Sequence, residues 1–184
     1  MGKIGDGLDK AEQQVLTRPV PKSTQARVRF LVKQLKTTRA VAELLGVSQR
    51  SVERYLTGQR KSPPKPISDR IEGEVRRRWQ PRVRQRARQQ AATATGITVE
   101  TRAQFGFTAA PGSTDDARLR RITEHLPPDY AARLFDAHAA GATERQLEGI
   151  VAEGLQEMYF KDRGRRAQGL LVDFTGIDYI EMDY

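Results

Sequence analysis

The sequence predicts an α+β protein in which a helical N-terminal part is followed by a smaller domain with an antiparallel sheet. Apolar residues after Ser23 recur at i, i+3, i+4 and i+7, which is the spacing of one helix face. Residues 97–107 instead alternate apolar and polar side chains, which is the period of a half-buried strand. Because one strand is not stable alone, we expect it to pair with the strand-like run at residues 170–184.

Two helices are predicted near the N-terminus. The first, over Leu8–Leu16, ends before Pro19 and Pro21, since proline lacks a backbone donor and biases the preceding residue toward extended conformations. The second begins after Ser23, its capping residue, and runs through Lys36. We expect its apolar stripe to pack on the two helices that follow.

Thr38–Lys61 has the residue pattern of a helix-turn-helix. Ala42 is small enough for two helices to cross closely, and Gly46 suits a turn that needs a positive φ. Ser48 can cap the second helix, and Val52 points back toward the first. An ordinary αα-hairpin has the same pattern, but arginines and a lysine on and after the second helix favour a DNA-binding form.

A basic stretch follows after the proline-rich residues 62–66. Ser68 restarts a helix in which apolar residues recur every four positions up to Trp79, and Pro81 must kink this helix or begin a new one. Most other positions are arginine, and like charges repel at helical spacing unless an anion lies nearby. The stretch therefore favours contact with a phosphate backbone over a solvated face.

These patterns divide the chain into three parts. We predict a helix-turn-helix DNA-binding domain at residues 1–66, an arginine-rich connecting helix at 67–95, and an α+β domain at 96–184 in which about three helices cover an antiparallel sheet. The candidate DNA-binding residues are Gln49, Arg50, Ser51, Glu53, Arg54, Arg60, Lys61, Arg76, Arg77, Arg78, Arg82, Arg84, Arg86 and Arg88.

The C-terminal domain is predicted to alternate strands and helices. Its elements in order are a strand over 97–107, a loop over Ala109–Thr114, a helix with Leu119, Ile122 and Leu126 facing inward, a helix over Asp129–Ala140, a helix capped by Thr143, and one or two strands over 170–184 with a turn near Gly176.

The net charge of +9 predicts a polyanionic partner. This charge is uneven: residues 1–112 hold 23 Lys and Arg against 9 Asp and Glu, a balance of +14, whereas residues 113–184 hold 9 against 14, a balance of −5. Two functional halves account for this better than one uniformly basic protein.

Composition excludes several kinds of site. The chain has no cysteine, so it has no disulfide, no Cys-ligated zinc and no thiol nucleophile. Its two histidines, His125 and His138, lack the spacing of metal ligands. No apolar run is as long as a membrane span, and no signal-peptide core is present, so we expect a cytoplasmic protein without a membrane partner.

Gly112–Asp116 has two interpretations. A Ser or Thr followed by acids is first of all the start of a helix. The free N–H groups of a helix start also favour a phosphate, beside which a threonine hydroxyl could attack a nucleotide with metal ions from a polymerase. The residue types alone favour the first interpretation, in which Gly112–Asp116 caps a helix.

The order of these segments resembles the telomere terminal proteins of linear Streptomyces-type chromosomes and plasmids. The resemblance spans essentially the whole chain. It is carried by TTRAVAELLGVSQRSVERYLTGQRK, the arginine-rich stretch after it, and GSTDDARLRRITEHLP. Many regulators share a helix-turn-helix, whereas this ordered combination is fairly specific.

The resemblance implies a bacterial protein that caps 5′ DNA ends covalently and primes the filling of the recessed end. The priming hydroxyl maps to Thr114, which receives dCMP, with Ser113 as the fallback acceptor. The implied partners are telomeric DNA (the 5′ end and the folded 3′ overhang), a telomere-binding protein and a DNA polymerase. The chain would then be a primer and acceptor rather than an enzyme, with no cofactor of its own, Mg²⁺ acting only through the polymerase, and a location at DNA ends in the nucleoid.

Other interpretations stay open. A transcription regulator would use the same helix-turn-helix to reach base edges, and a non-covalent architectural protein would bind DNA through the Arg76–Arg88 segment. Self-association through the acidic and aromatic C-terminal strands is a further expectation.

Overall fold

The computed structural model describes residues 2–108, 118–167 and 169–184, with the backbone alone at residues 107 and 108. The chain divides into two compact units. We call Thr17–Pro81 the helix-turn-helix unit, and Met1–Leu16 together with Arg82–Tyr184 the sheet unit.

The described residues form eight α-helices and three strands. In chain order they are α1 (Lys3–Gln14), α2 (Thr24–Leu35), α3 (Thr38–Leu45), α4 (Gln49–Thr57), α5 (Lys65–Arg78), α6 (Pro81–Gln90), β1 (Ile97–Thr108), β2 (Arg118–Leu126), α7 (Pro128–Ala139), α8 (Glu144–Leu155) and β3 (Leu171–Asp183). Single π-helical turns, Ala91–Thr95 and Gln156–Phe160, extend α6 and α8.

Capping residues set the helix starts in the helix-turn-helix unit. The hydroxyls of Ser23, Thr37 and Ser48 each accept a hydrogen bond from the backbone N–H three residues later. Gly46 ends α3 with φ of 67°, in the left-handed region that glycine adopts without strain. The predicted caps at Ser23 and Ser48 and the predicted turn at Gly46 are confirmed.

Helix α5 belongs to this unit. Ile71 and Val75 lie in the same buried cluster as Val28, Val41 and Val52. The domain boundary therefore falls at Pro81 and not near residue 66, because the apolar face of α5 completes the helical core. The predicted connecting segment consists of two helices, α5 and α6, one in each unit, so of the two outcomes expected at Pro81 the start of a new helix is confirmed.

The sheet has the order β2-β1-β3, and both neighbouring pairs are antiparallel. Alternate side chains of β1 from Ile97 to Phe105 are buried, and the intervening ones lie on an open face. The predicted pairing of β1 with the C-terminal run is confirmed. That run forms one strand, whose register against β1 shifts after Arg102 and after Gln104, close to Gly176.

Helices α1, α7 and α8 contribute side chains to the buried side of the sheet. Leu134 of α7 and Val151 of α8 lie in one cluster with the strands, and Ile4 and Leu8 of α1 join it. The predicted α+β class with an antiparallel sheet is confirmed. Two of the three helices predicted to cover the sheet are present, α7 and α8, and α1 takes the place of the third. The N-terminal helix, however, lies in the sheet unit because its apolar residues complete this core.

Residues 118–126 form a strand, and the helix predicted there is wrong. Leu119, Ile122 and Leu126 have spacings of three and four, but Leu119 is 53% exposed whereas the other two are buried. Ile122 and Leu126 also share one face of a strand, since they are an even number of residues apart. Pairing with β1 decides between the two periods, with Ile122 opposite Thr101.

Two glycines of α8 provide a matched pair of substitutions. A Cβ at Gly149 would meet nothing within 4 Å, whereas one at Gly154 would lie 2.8 Å from Leu126 Cδ1. Alanine stabilises a helix interior over glycine by about 0.5–1 kcal/mol, so Gly149→Ala should raise the free energy of unfolding by that amount. Gly154→Ala must displace the buried Leu126, and overpacking costs about 1–3 kcal/mol, so its free energy of unfolding should fall. Urea denaturation followed by circular dichroism measures both, and equal shifts would contradict the close packing of α8 on β2.

Candidate nucleic-acid interface

Helix α4 has a buried face and an outward face. Val52 and Tyr55 lie in the core of the helix-turn-helix unit, at 0% and 1% exposure. Because the helix turns once every 3.6 residues, the side chains opposite to them are exposed together. These are Gln49, Arg50, Glu53, Arg54 and Thr57. In helix-turn-helix proteins this face is the one that enters the major groove of DNA.

Gln49 joins the two helices at their first turns. Its Nε2 donates to Thr38 Oγ1 of α3 and to Glu53 Oε1 of α4, both at 3.1 Å. The side chain therefore bridges α3 and α4 and holds the carboxylate of Glu53 in place. Sequence reasoning missed Thr38, although its position at the start of α3 could have indicated a contact with the start of α4.

Two hydroxyls of α4 are used within the helix. Ser51 Oγ lies 3.0 Å from the Oγ of Ser48, the capping residue. Thr57 Oγ1 donates to the backbone oxygen of Glu53 at 3.0 Å. The candidate residue Ser51 is thus part of the cap of α4.

The cations on and after α4 are exposed. Among the described residues, no carboxylate pairs with Arg50, Arg54 or Lys61. The Arg60 guanidinium lies 5.8 Å from the centroid of the Tyr55 ring, a cation–π distance, and remains exposed. These four cations form an unneutralised patch on the helix-turn-helix unit.

The arginines of α5 have partners within the chain. Arg76 Nη2 lies 2.6 Å from Glu72 Oε1, and Arg77 and Arg78 both pair with Glu74, whose side chain is 10% exposed. The clustered charge therefore does not require a nucleic acid, because glutamates of the same helix supply the anions. Arg70 is also used internally: its Nη1 donates to the Leu45 backbone oxygen at 2.7 Å, at the end of α3.

Helix α6 divides its arginines between two environments. Arg84 and Arg88 both contact Glu12 of α1, at 3.0 and 2.6 Å, and the three side chains are 14–35% exposed. Arg82 and Arg86 are exposed and have no hydrogen-bond or ion-pair partner among the described residues. Of the candidate arginines in the Arg76–Arg88 segment, these two are the ones left for an external anion.

Thr114 and Ser113 lie outside the described residues. They fall in the chain between β1 and β2, antiparallel neighbours whose last pair is Phe105 with Arg118. From Arg118 onward the chain is a strand and not the expected helix. The predicted helix is thus absent from residues 118–126, and the helix start expected at Gly112–Asp116 lies outside the described residues.

The open face of the sheet carries paired charges. Arg121 Nη2 donates to Glu100 Oε1 at 2.7 Å, and the Tyr179 hydroxyl donates to the same oxygen at 2.9 Å. The hydrogen bond from Arg121 lowers the pKa of Glu100, and desolvation, followed by the bond to Glu100, raises the pKa of Tyr179. Two acids of β3 are also paired: Arg102–Asp178 and Lys10–Glu181.

Comparison with known proteins adds no relative: the chain matches no protein-family model, no characterised protein and no solved structure. None of the described helices is long and apolar enough to cross a membrane.

Proposed function

We propose that this chain is a DNA-binding terminal protein. Its helix-turn-helix unit binds double-stranded DNA through the outward face of α4, and Thr114 accepts the nucleotide that begins a new strand. The observation that carries the DNA-binding part is the exposed face of α4, where Arg50 and Arg54 have no partner among the described residues. The order of sequence segments, which resembles the terminal proteins, supports the acceptor part.

Electrostatics favours α4 over the arginine-rich stretch as the main binding surface. An exposed cation that contacts a phosphate releases a condensed counterion. Each such contact makes the slope of log K against log salt more negative by about 0.9. Among the described residues, no carboxylate has to be released when DNA binds to the four exposed cations Arg50, Arg54, Arg60 and Lys61. Arg76 and Arg78 would have to leave Glu72 and Glu74.

Removing the two arginines of α4 should weaken DNA binding more than removing the two exposed arginines of α6. We expect Arg50→Ala with Arg54→Ala to lower affinity for the preferred duplex at least about tenfold, since each base contact contributes about 1–3 kcal/mol. Fluorescence anisotropy with a labelled duplex at several salt concentrations measures both the affinity and the salt slope.

Arg82→Ala with Arg86→Ala is the matched control, because it removes the same charge from exposed positions. It should weaken all duplexes alike and by less. A larger loss of affinity in this control than in the α4 variant would show that α6 is the main DNA-binding helix. That result would support the architectural alternative.

The acceptor chemistry is a nucleotidyl transfer. Thr114 Oγ forms a bond to the α-phosphorus of dCTP, the bond from that phosphorus to the bridging oxygen breaks, and pyrophosphate leaves. The hydroxyl proton passes to a base in the polymerase site, where Mg²⁺ balances the charge of the triphosphate. The chain supplies the hydroxyl and keeps the dCMP, so it acts as substrate and primer.

Partners follow from this role. DNA binding by α4 holds the chain at a DNA end in the nucleoid, and a telomere-binding protein on the folded 3′ overhang brings it to the polymerase. The open sheet face, on which Arg102, Arg121 and Asp178 are more than half exposed, is a surface on which such a protein, or a second copy of this chain, can dock.

A further inference from the structure

Hydrogen bonding within α4 limits which side chains can bind a further group. Both amide hydrogens of Gln49 are used, one by Thr38 and one by Glu53. The hydroxyls of Ser51 and Thr57 are also used, the first at the cap of α4 and the second on a backbone oxygen. Of the five candidate DNA-binding residues on α4 (Gln49, Arg50, Ser51, Glu53 and Arg54), two therefore serve the local structure, Gln49 and Ser51.

This arrangement disfavours adenine as the base that is read. Adenine is recognised by an amide side chain that donates to N7 while it accepts from the N6 amino group. Gln49 is the amide side chain on the outward face of α4, and it has no free N–H for that contact. Gln49 is thus a positioning residue that fixes Glu53.

Three outward side chains keep free groups, and all three suit a G·C pair. Arginine donates two hydrogen bonds to the O6 and N7 of guanine, and a carboxylate accepts from the N4 amino group of cytosine. Arg50 and Arg54 lie one helical turn apart with exposed guanidinium groups, and Glu53 lies between them with Oε2 free. Among the described residues no cation pairs with Glu53. A carboxylate on this face repels every phosphate, so it lowers the affinity for all DNA. Its contribution is therefore to the choice of base pair.

We infer that α4 reads a DNA site built on G·C pairs, with Arg50 and Arg54 donating to guanines and Glu53 accepting from a cytosine. The inference rests on the proposed DNA binding and specifies which base pairs that binding takes. Glu53 determines specificity: it discriminates against a thymine at its position, because O4 of thymine is an acceptor and would face the carboxylate.

Selection from a randomised duplex tests the inference with the full-length chain. The wild-type chain should enrich sites that contain at least two G·C pairs within one half-turn of the major groove. Replacement of the selected guanines by 7-deazaguanine removes the N7 acceptor and should reduce wild-type affinity about tenfold. The same replacement should have little effect on the variant with Arg50→Ala and Arg54→Ala.

Glu53→Ala and Glu43→Ala form a matched pair, since both remove one exposed carboxylate, the second from α3 where it pairs with Arg39. Glu53→Ala should bind random DNA more tightly than the wild type, and its preference for cytosine at one position should fall about tenfold. Glu43→Ala should keep the wild-type preference. Enrichment of A·T pairs by the wild type, or the same preference in both variants, would overturn the inference. The DNA-binding proposal itself fails only in the separate case that the wild type binds no duplex at low salt.

Discussion

Thr114→Ala is expected to abolish attachment of the first nucleotide. Alanine has no hydroxyl, so no bond to the α-phosphorus of dCTP can form at that position, and the loss should be complete. The measurement combines the purified chain with its telomere-binding partner, telomeric DNA, DNA polymerase and dCTP labelled at the α-phosphate. Label that stays with the protein band on a denaturing gel reports the covalent product.

Two hydroxyl variants provide the controls. Ser113→Ala should keep the label, and so should Thr123→Ala, which removes an exposed threonine from β2 in the same unit. Label in Thr114→Ala but none in Ser113→Ala would move the acceptor by one residue. Label in the double variant, Ser113→Ala with Thr114→Ala, would exclude both residues as the acceptor.

The same chain isolated from its own cells should carry DNA that survives detergent and is released by protease or nuclease. A transcription regulator or an architectural protein would lose its DNA in detergent. This comparison separates the covalent proposal from the two non-covalent alternatives without reconstitution of the reaction.

Glu12→Ala should cause the largest loss of stability among single substitutions of charged residues in the sheet unit. Glu12 contacts Arg84 and Arg88 at 3.0 and 2.6 Å, and its side chain is 14% exposed. Its removal takes from Arg84 and Arg88, both mostly buried, the carboxylate that the two of them share. We expect the free energy of unfolding to fall by about 1–3 kcal/mol, between the values for exposed and fully buried pairs.

Urea denaturation followed by circular dichroism measures this change, and Glu181→Ala is the matched control. Glu181 lies in the same unit and pairs with Lys10, but both side chains are more than half exposed, so its loss should change stability by less than about 1 kcal/mol. The fluorescence of Trp79, the one tryptophan of the chain, verifies that the helix-turn-helix unit stays folded. Equal shifts in the two variants would show that the Glu12 cluster contributes no more than a surface ion pair.

Local patterns predicted the parts of the fold that depend on neighbouring residues. Ser48 and Gly46 act within one turn of the chain, so the turn between α3 and α4 followed from their identities. The alternation in β1 is local too, and its buried face agrees with the prediction as far as Phe105. In such segments only one periodicity fits the sequence, so the secondary structure does not depend on contacts with distant residues.

The other parts depend on residues far apart in sequence. Arg118–Leu126 fits a helix or a strand almost equally well, and pairing with β1 selects the strand. The prediction that the arginine-rich stretch faces phosphates overlooked Glu72 and Glu74, which lie four residues before Arg76 and Arg78 and pair with them. The anion for α6 could not be identified from local sequence. Glu12, the partner of Arg84 and Arg88, lies more than seventy residues away, and α1 contacts α6 only once the sheet unit has formed.

The position of α1 has a consequence for the order in which the chain folds during synthesis. Lys3 donates to backbone oxygens of Ile177 and Asp178 in β3, so α1 gains these contacts only after β3, more than 150 residues later, has been synthesised. The helix-turn-helix unit needs no such wait, because its contacts close as soon as α5 has left the ribosome. In the interval Ile4 and Leu8 lack the residues of β3 with which they share a buried cluster. The helix-turn-helix unit therefore completes its core before the sheet unit does.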